Sequence, residues 1–166
     1  MSDARLFGTT HRYERRNVIE LGLDVASSAS TAFQNITELA FPVTAAINYR
    51  YLAYIMYTTS ANTIGMRVSY TSPAVTHAAY TTMVPPGSTT GGVPAAGTDN
   101  TWVNWQNVAD TGTVSGASMS TTAGNLLILM GIIRPSANGT FQLRFAPETA
   151  TANGVIIEAG STLEWW

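Results

Sequence analysis

Residues 125 to 146 read NLLILMGIIRPSANGTFQLRFA, two strand-length runs on either side of an Asn-Gly pair. Side chains of a strand alternate between its two faces, so a period of two shows which face is dry. In the second run Phe141, Leu143 and Phe145 share one face, and Thr140, Gln142 and Arg144 share the other. That is a sheet with one wet side. The first run has no wet side: Leu127, Leu129 and Ile133 oppose Leu126, Ile128, Met130 and Ile132. Asn138-Gly139 tolerates the positive φ of a tight turn, so the two runs are expected to form a hairpin.

The same doubling occurs in YRYLAYIMY, residues 49 to 57. Here Tyr49, Tyr51, Ala53, Ile55 and Tyr57 oppose Leu52, Tyr54 and Met56. A two-layer sandwich gives each strand only one interior face. The second apolar face must then be covered by loops, by the amino-terminal segment or by another subunit, and self-association covers both strands at once. The expected subunit interface is Tyr49, Tyr51, Tyr54, Leu127, Leu129 and Trp166.

Further strand signals lie at 64–70, where Ile64, Met66, Val68 and Tyr70 alternate with Gly65, Arg67 and Ser69, and at 74–84, 101–109, 113–119, 155–158 and 162–166. About eight or nine short strands without helical periodicity predict an all-β fold, an antiparallel jelly-roll sandwich or barrel. Residues 85–100 hold Pro85, Pro86, Pro94, Gly87, Gly91, Gly92 and Gly97, and read as a long surface loop. No repeat of a solenoid is visible.

Only 11% of residues are charged and the net charge is -2. That leaves no cationic footprint for nucleic acid. All eight cations are arginines, so lysine-dependent phosphate loops and Schiff bases are ruled out. With no cysteine there is no disulfide framework, zinc finger or thiol nucleophile. The longest apolar run, Leu126 to Ile133, is too short to cross a bilayer as a helix, and residues 1–17 lack the apolar run of a secretory signal. No membrane partner is expected.

Charge is concentrated at the start: Asp3, Arg5, Arg12, Glu14, Arg15, Arg16, Glu20 and Asp24 precede a nearly neutral remainder. Residues 1–33 are therefore expected to be an extended arm and linker, and residues 34–166 the body. Leu6, Phe7, Val18, Ile19, Leu21, Leu23 and Val25 suit an arm that docks onto something.

No catalytic constellation stands out, and neither a metal nor a cofactor is expected. His11 and His77 are too few for a three-histidine zinc site. GSTTGG at 87–92 lacks the lysine of a phosphate loop. Glu148, Glu158 and Glu164 are read as surface carboxylates rather than a glycosidase pair. Trp102 and Trp105 flank the long loop and are the candidates for an alternative role, stacking against a glycan. Trp165 and Trp166 must point to opposite faces, one to the core and one to a subunit or the arm.

The sequences GNLLILMGIIRPSANGTFQLRFAPE and GVIIEAGSTLEWW, with YRYLAYIMY and IGMRVSY before them, resemble the jelly-roll minor virion proteins of tailed bacteriophages over about residues 34–166. That family includes trimeric capsid decoration (cement) proteins and fibre heads. The resemblance implies a non-enzymatic homotrimer on the outer surface of a virion, bound to the major capsid protein and clamping neighbouring capsomers through its amino-terminal arm. The arm residues expected to bind the capsid are Arg5, Phe7, Arg12, Arg15, Arg16 and Leu21. A fibre or spike head, or a carbohydrate-binding module, is the alternative.

Overall fold

The computed structural model describes residues 16–83, 121–122 and 124–166, and the backbone alone of 103–106 and 113–114. The described residues form strands and no helix. In chain order these are β1 (Asn17–Glu20), β2 (Val25–Ala26), β3 (Gln34–Val43), β4 (Tyr49–Thr59), β5 (Met66–Thr71) and β6 (Val75–Met83). They continue with β7 (Val103–Gln106), β8 (Thr113–Val114), β9 (Asn125–Pro135), β10 (Gly139–Pro147), β11 (Val155–Ile157) and β12 (Thr162–Trp165).

Antiparallel pairing builds an all-β sandwich of the jelly-roll type expected. The larger sheet has the order β1-β12-β4-β9-β6-β7, with β11 pairing both β4 and β2. The smaller has the order β3-β10-β5-β8. Tyr51, Ala53, Ile55, Tyr57, Leu127, Leu129 and Ile133 face inward from the larger sheet and meet Phe41, Val68, Tyr70, Phe141, Leu143 and Phe145 of the smaller. Phe141 is the hub, its ring 4.6 Å from that of Tyr51 and 4.8 Å from that of Phe41. Such aromatic pairs add about 0.5–1.5 kcal/mol each beyond the area they bury.

The expected hairpin at Asn138-Gly139 does not form. β9 pairs with β4 and β6, whereas β10 pairs with β3 and β5, so the chain crosses from one sheet to the other. Among the described residues, positive φ occurs at Ala46, Asn153, Gly124 and Gly160, and not at this pair. Asn138 instead accepts a hydrogen bond from the Ala45 amide at 2.8 Å. Gly139 is required for space, since a Cβ there would lie 2.4 Å from Cγ of Pro73. The two runs differ in pattern because they sit in different sheets: β10 has a wet outer face, and β9 lies mid-sheet under an outer face that is apolar.

The boundary expected at residues 33 and 34 is also displaced. β1 and β2 belong to the larger sheet, and Leu21 between them is 1% exposed, its amide bound to the Ser161 carbonyl at 2.8 Å. Ser27 is tied to Val155 in both directions, its amide donating to the Val155 carbonyl and its Oγ accepting from the Val155 amide. Residues 17–33 are therefore part of the body.

Candidate functional site

The face of the larger sheet that turns away from the core is the prominent feature. Strand alternation puts Arg50, Leu52, Tyr54 and Met56 of β4 on it, opposite Ile132, Met130, Ile128 and Leu126 of β9, pair by pair. β6 continues the row with Ala79 beside Ile132 and Thr81 beside Met130. Tyr54 is 39% exposed, Met56 38%, Leu126 48%, Met130 36% and Ile132 49%. Isolated exposed apolar side chains are ordinary, but five on two adjacent strands make a continuous strip.

A groove of about 520 Å³ runs along this strip, lined by Leu52, Tyr54, Ile128, Met130, Ile132 and Trp166 among others. At one end it adjoins a second hollow of about 420 Å³ lined by Asn48, Arg50, Ile132 and Trp166. Gly131 lies between Met130 and Ile132 and pairs with Tyr51 and Tyr80. A Cβ there would sit 2.4 Å from the Tyr51 hydroxyl oxygen and 2.7 Å from the Ala79 carbonyl. Glycine thus lets the Tyr51 side chain lie across β9.

Beneath the groove, Tyr51, Tyr70 and Tyr80 are packed together in the core, with Tyr70 and Tyr80 ring centroids 5.5 Å apart. Burial raises the pKa of all three, that of Tyr80 to about 12. For Tyr51 the neighbouring Tyr70 and Tyr80 raise it further, and Tyr70 does the same to Tyr80. These hydroxyls stay neutral at any physiological pH, so none is a ready proton acceptor.

At the mouth of the groove Trp165, the last residue of β12, and Trp166 just after it part as expected. Trp165 stacks on Phe41 at 4.9 Å with the rings 6° apart, while Trp166 carries the Arg16 guanidinium 4.7 Å over its ring. Arg16 also pairs with Glu164 at 3.1 Å. Trp166 exchanges two backbone hydrogen bonds with Arg50, so Arg16, Trp166 and Arg50 stand in a row at that end of the sheet.

The residues expected to act at the surface divide accordingly. Tyr54 and Trp166 lie on the outer face, and Arg16 lies over the ring of Trp166. Tyr51, Leu127 and Leu129 are at most 1% exposed within this chain's own core, so their assignment to a subunit interface is corrected. Tyr49 is half-buried beside Phe41, its ring 5.7 Å away, and its hydroxyl accepts a hydrogen bond from the Thr44 amide. Leu21, assigned to the capsid-binding arm, is a core residue. Arg5, Phe7, Arg12, Arg15 and Trp102 lie outside the described residues, as does the side chain of Trp105. The parity was legible all the same: Arg50 and Arg134 fall in the same alternation as Leu52, Tyr54, Leu126 and Ile132, and a charged side chain marks the face away from the core.

No family model matches the chain, and no curated protein matches it. Among solved structures it is similar to the VP2 subviral particle of infectious bursal disease virus, with 11% identity and a TM-score of 0.26 over 91% of this chain and 36% of that one. Structures of the Gx and Gt strains of that virus give 12% and 10% identity at TM-scores of 0.24 and 0.23, each covering 91% of this chain and 40% of the other. The chain spans less than half the length of these chains, and likenesses at such TM-scores support no inference about it.

Proposed function

We propose that this chain is a structural virion protein that decorates and stabilises a bacteriophage capsid, as a homotrimer whose amino-terminal arm reaches neighbouring capsomers. The observation that carries the reading is the apolar outer strip on β4 and β9. A half-exposed Ile, Leu, Met or Tyr gains about 1 kcal/mol on being covered, and several act together. Repetition of the contact over a symmetric shell adds avidity.

The path of the chain supports the arm. β1 is antiparallel to β12, and Asn17 is level with Trp165, so Arg16 stands at the same end of the sheet as Trp166 and Arg50. Arginines in such a segment can form paired contacts with acidic groups on a shell. No step in this role needs covalent chemistry.

The test is to add the purified protein to shells that lack it. Saturable binding and a raised shell melting temperature are expected, both weakened by Ile132→Asp. Shells that bind none of it, together with binding to a host polysaccharide that Trp102→Ala abolishes, would replace this reading with a fibre or spike head.

A further inference from the structure

The outer groove raises the question of what covers it before any shell is met. Its mouth is where the described chain begins, because Arg16 lies over the ring of Trp166, itself a groove residue. Fifteen residues precede Arg16, and they include Leu6, Phe7 and Tyr13. We infer that in the free protein residues 1–15 turn back and occupy the groove of their own chain, setting these apolar side chains against Leu52, Tyr54, Met130 and Ile132. The inference rests on the outer face being the assembly surface proposed above, and it adds what occupies that surface beforehand.

Length permits it. Fifteen residues reach up to ~50 Å when extended. Arg50 and Met56, at the two ends of the strip on β4, are six residues apart, about 20 Å along a strand. Several residues can therefore be spent reversing direction at the end of the sheet, with enough left to line the groove.

Charge and concentration favour the same occupant. Arg50, at the same end of the sheet as Arg16, makes no ion pair among the described residues, and the leading segment carries the carboxylates Asp3 and Glu14 that could pair with it. A tethered segment competes at an effective concentration on the order of millimolar, above any micromolar second copy.

The chain contains no cysteine, so a designed pair reports its own geometry. Full-length Phe7→Cys with Tyr54→Cys is compared with Phe7→Cys with Thr140→Cys, Thr140 being exposed on the outer face of the smaller sheet. On oxidation of dilute folded protein without shells, the first pair is expected to close within one chain at least tenfold faster than the second. Equal rates overturn the inference, as does a first pair found only in cross-linked dimers, which would place the segment in a second copy.

A second measurement needs no pairing. Ile132→Cys in the full chain is alkylated with N-ethylmaleimide, and adding Leu6→Ser with Phe7→Ser should speed the reaction at least fivefold. An unchanged rate overturns the inference. Neither readout involves a capsid, so a failure here is distinguishable from a failure to bind shells.

Discussion

At the scale of single residues, Gly131 is the tightest point beneath the groove. Gly131→Ala would place a methyl group 2.4 Å from the Tyr51 hydroxyl oxygen and 2.7 Å from the Ala79 carbonyl, and backbone cannot give way as a side-chain tip can. Overpacking of this kind costs about 1–3 kcal/mol, so the urea midpoint should fall measurably. The tyrosines below it make a prediction about pH. Their folded pKa values are raised, that of Tyr80 to about 12, so these three hydroxyls are protonated in the folded and unfolded chains alike up to about pH 9. Above pH 10 the unfolded chain loses protons that the folded one keeps, and stability falls toward pH 12. No lysine or cysteine titrates in that window to obscure it. The midpoint in urea should be level from pH 7 to 9 and clearly lower at pH 11; equal midpoints at pH 8 and 11 would contradict the burial of these hydroxyls.

At the scale of elements, β4 and β9 were legible as strands with two apolar faces, and the physical reason is their central place in the larger sheet. What the alternation does not carry is which strands pair, so the link between β9 and β10 reads as a hairpin until Pro73 and Ala45 are known to flank it. β3 was illegible for a different reason. Its inward residues Ile36, Leu39, Phe41 and Val43 change phase between 36 and 39, where the register with β10 shifts. The side-chain amide of Gln142 fills that irregularity by donating to the Ile36 and Leu39 carbonyls at 2.7 and 3.2 Å. A contact more than a hundred residues away along the chain cannot be read from local periodicity. The two faces of β9 should respond oppositely to substitution. Leu127→Ala removes a buried side chain and should cost about 2–5 kcal/mol. Leu126→Ser with Ile132→Ser should leave thermal stability of the monomer within about 1 kcal/mol while abolishing self-association, as read by melting curves and light scattering.

For the whole molecule, the question is how an exposed apolar strip and a charged leading segment act in one particle. The described strands β1 through β12 and the Leu21 anchor all lie after residue 15. Residues 16–166 should therefore fold, and their melting temperature should match that of the full chain within a few degrees. Their association should differ. If the leading segment covers the strip as inferred above, the full chain should need a higher concentration to reach the trimer. Stripped of that segment, the body should assemble at concentrations at least several-fold lower. Absolute mass by light scattering over a dilution series separates the terms. Because the strip is apolar apart from Arg50 at its end, this association should depend only weakly on salt between 0.05 and 0.5 M, whereas attachment to shells through the arm's arginines should weaken over that range. If the truncated body stays monomeric at every concentration, the strip is not a self-association surface, and the contact that covers it must be supplied by the shell.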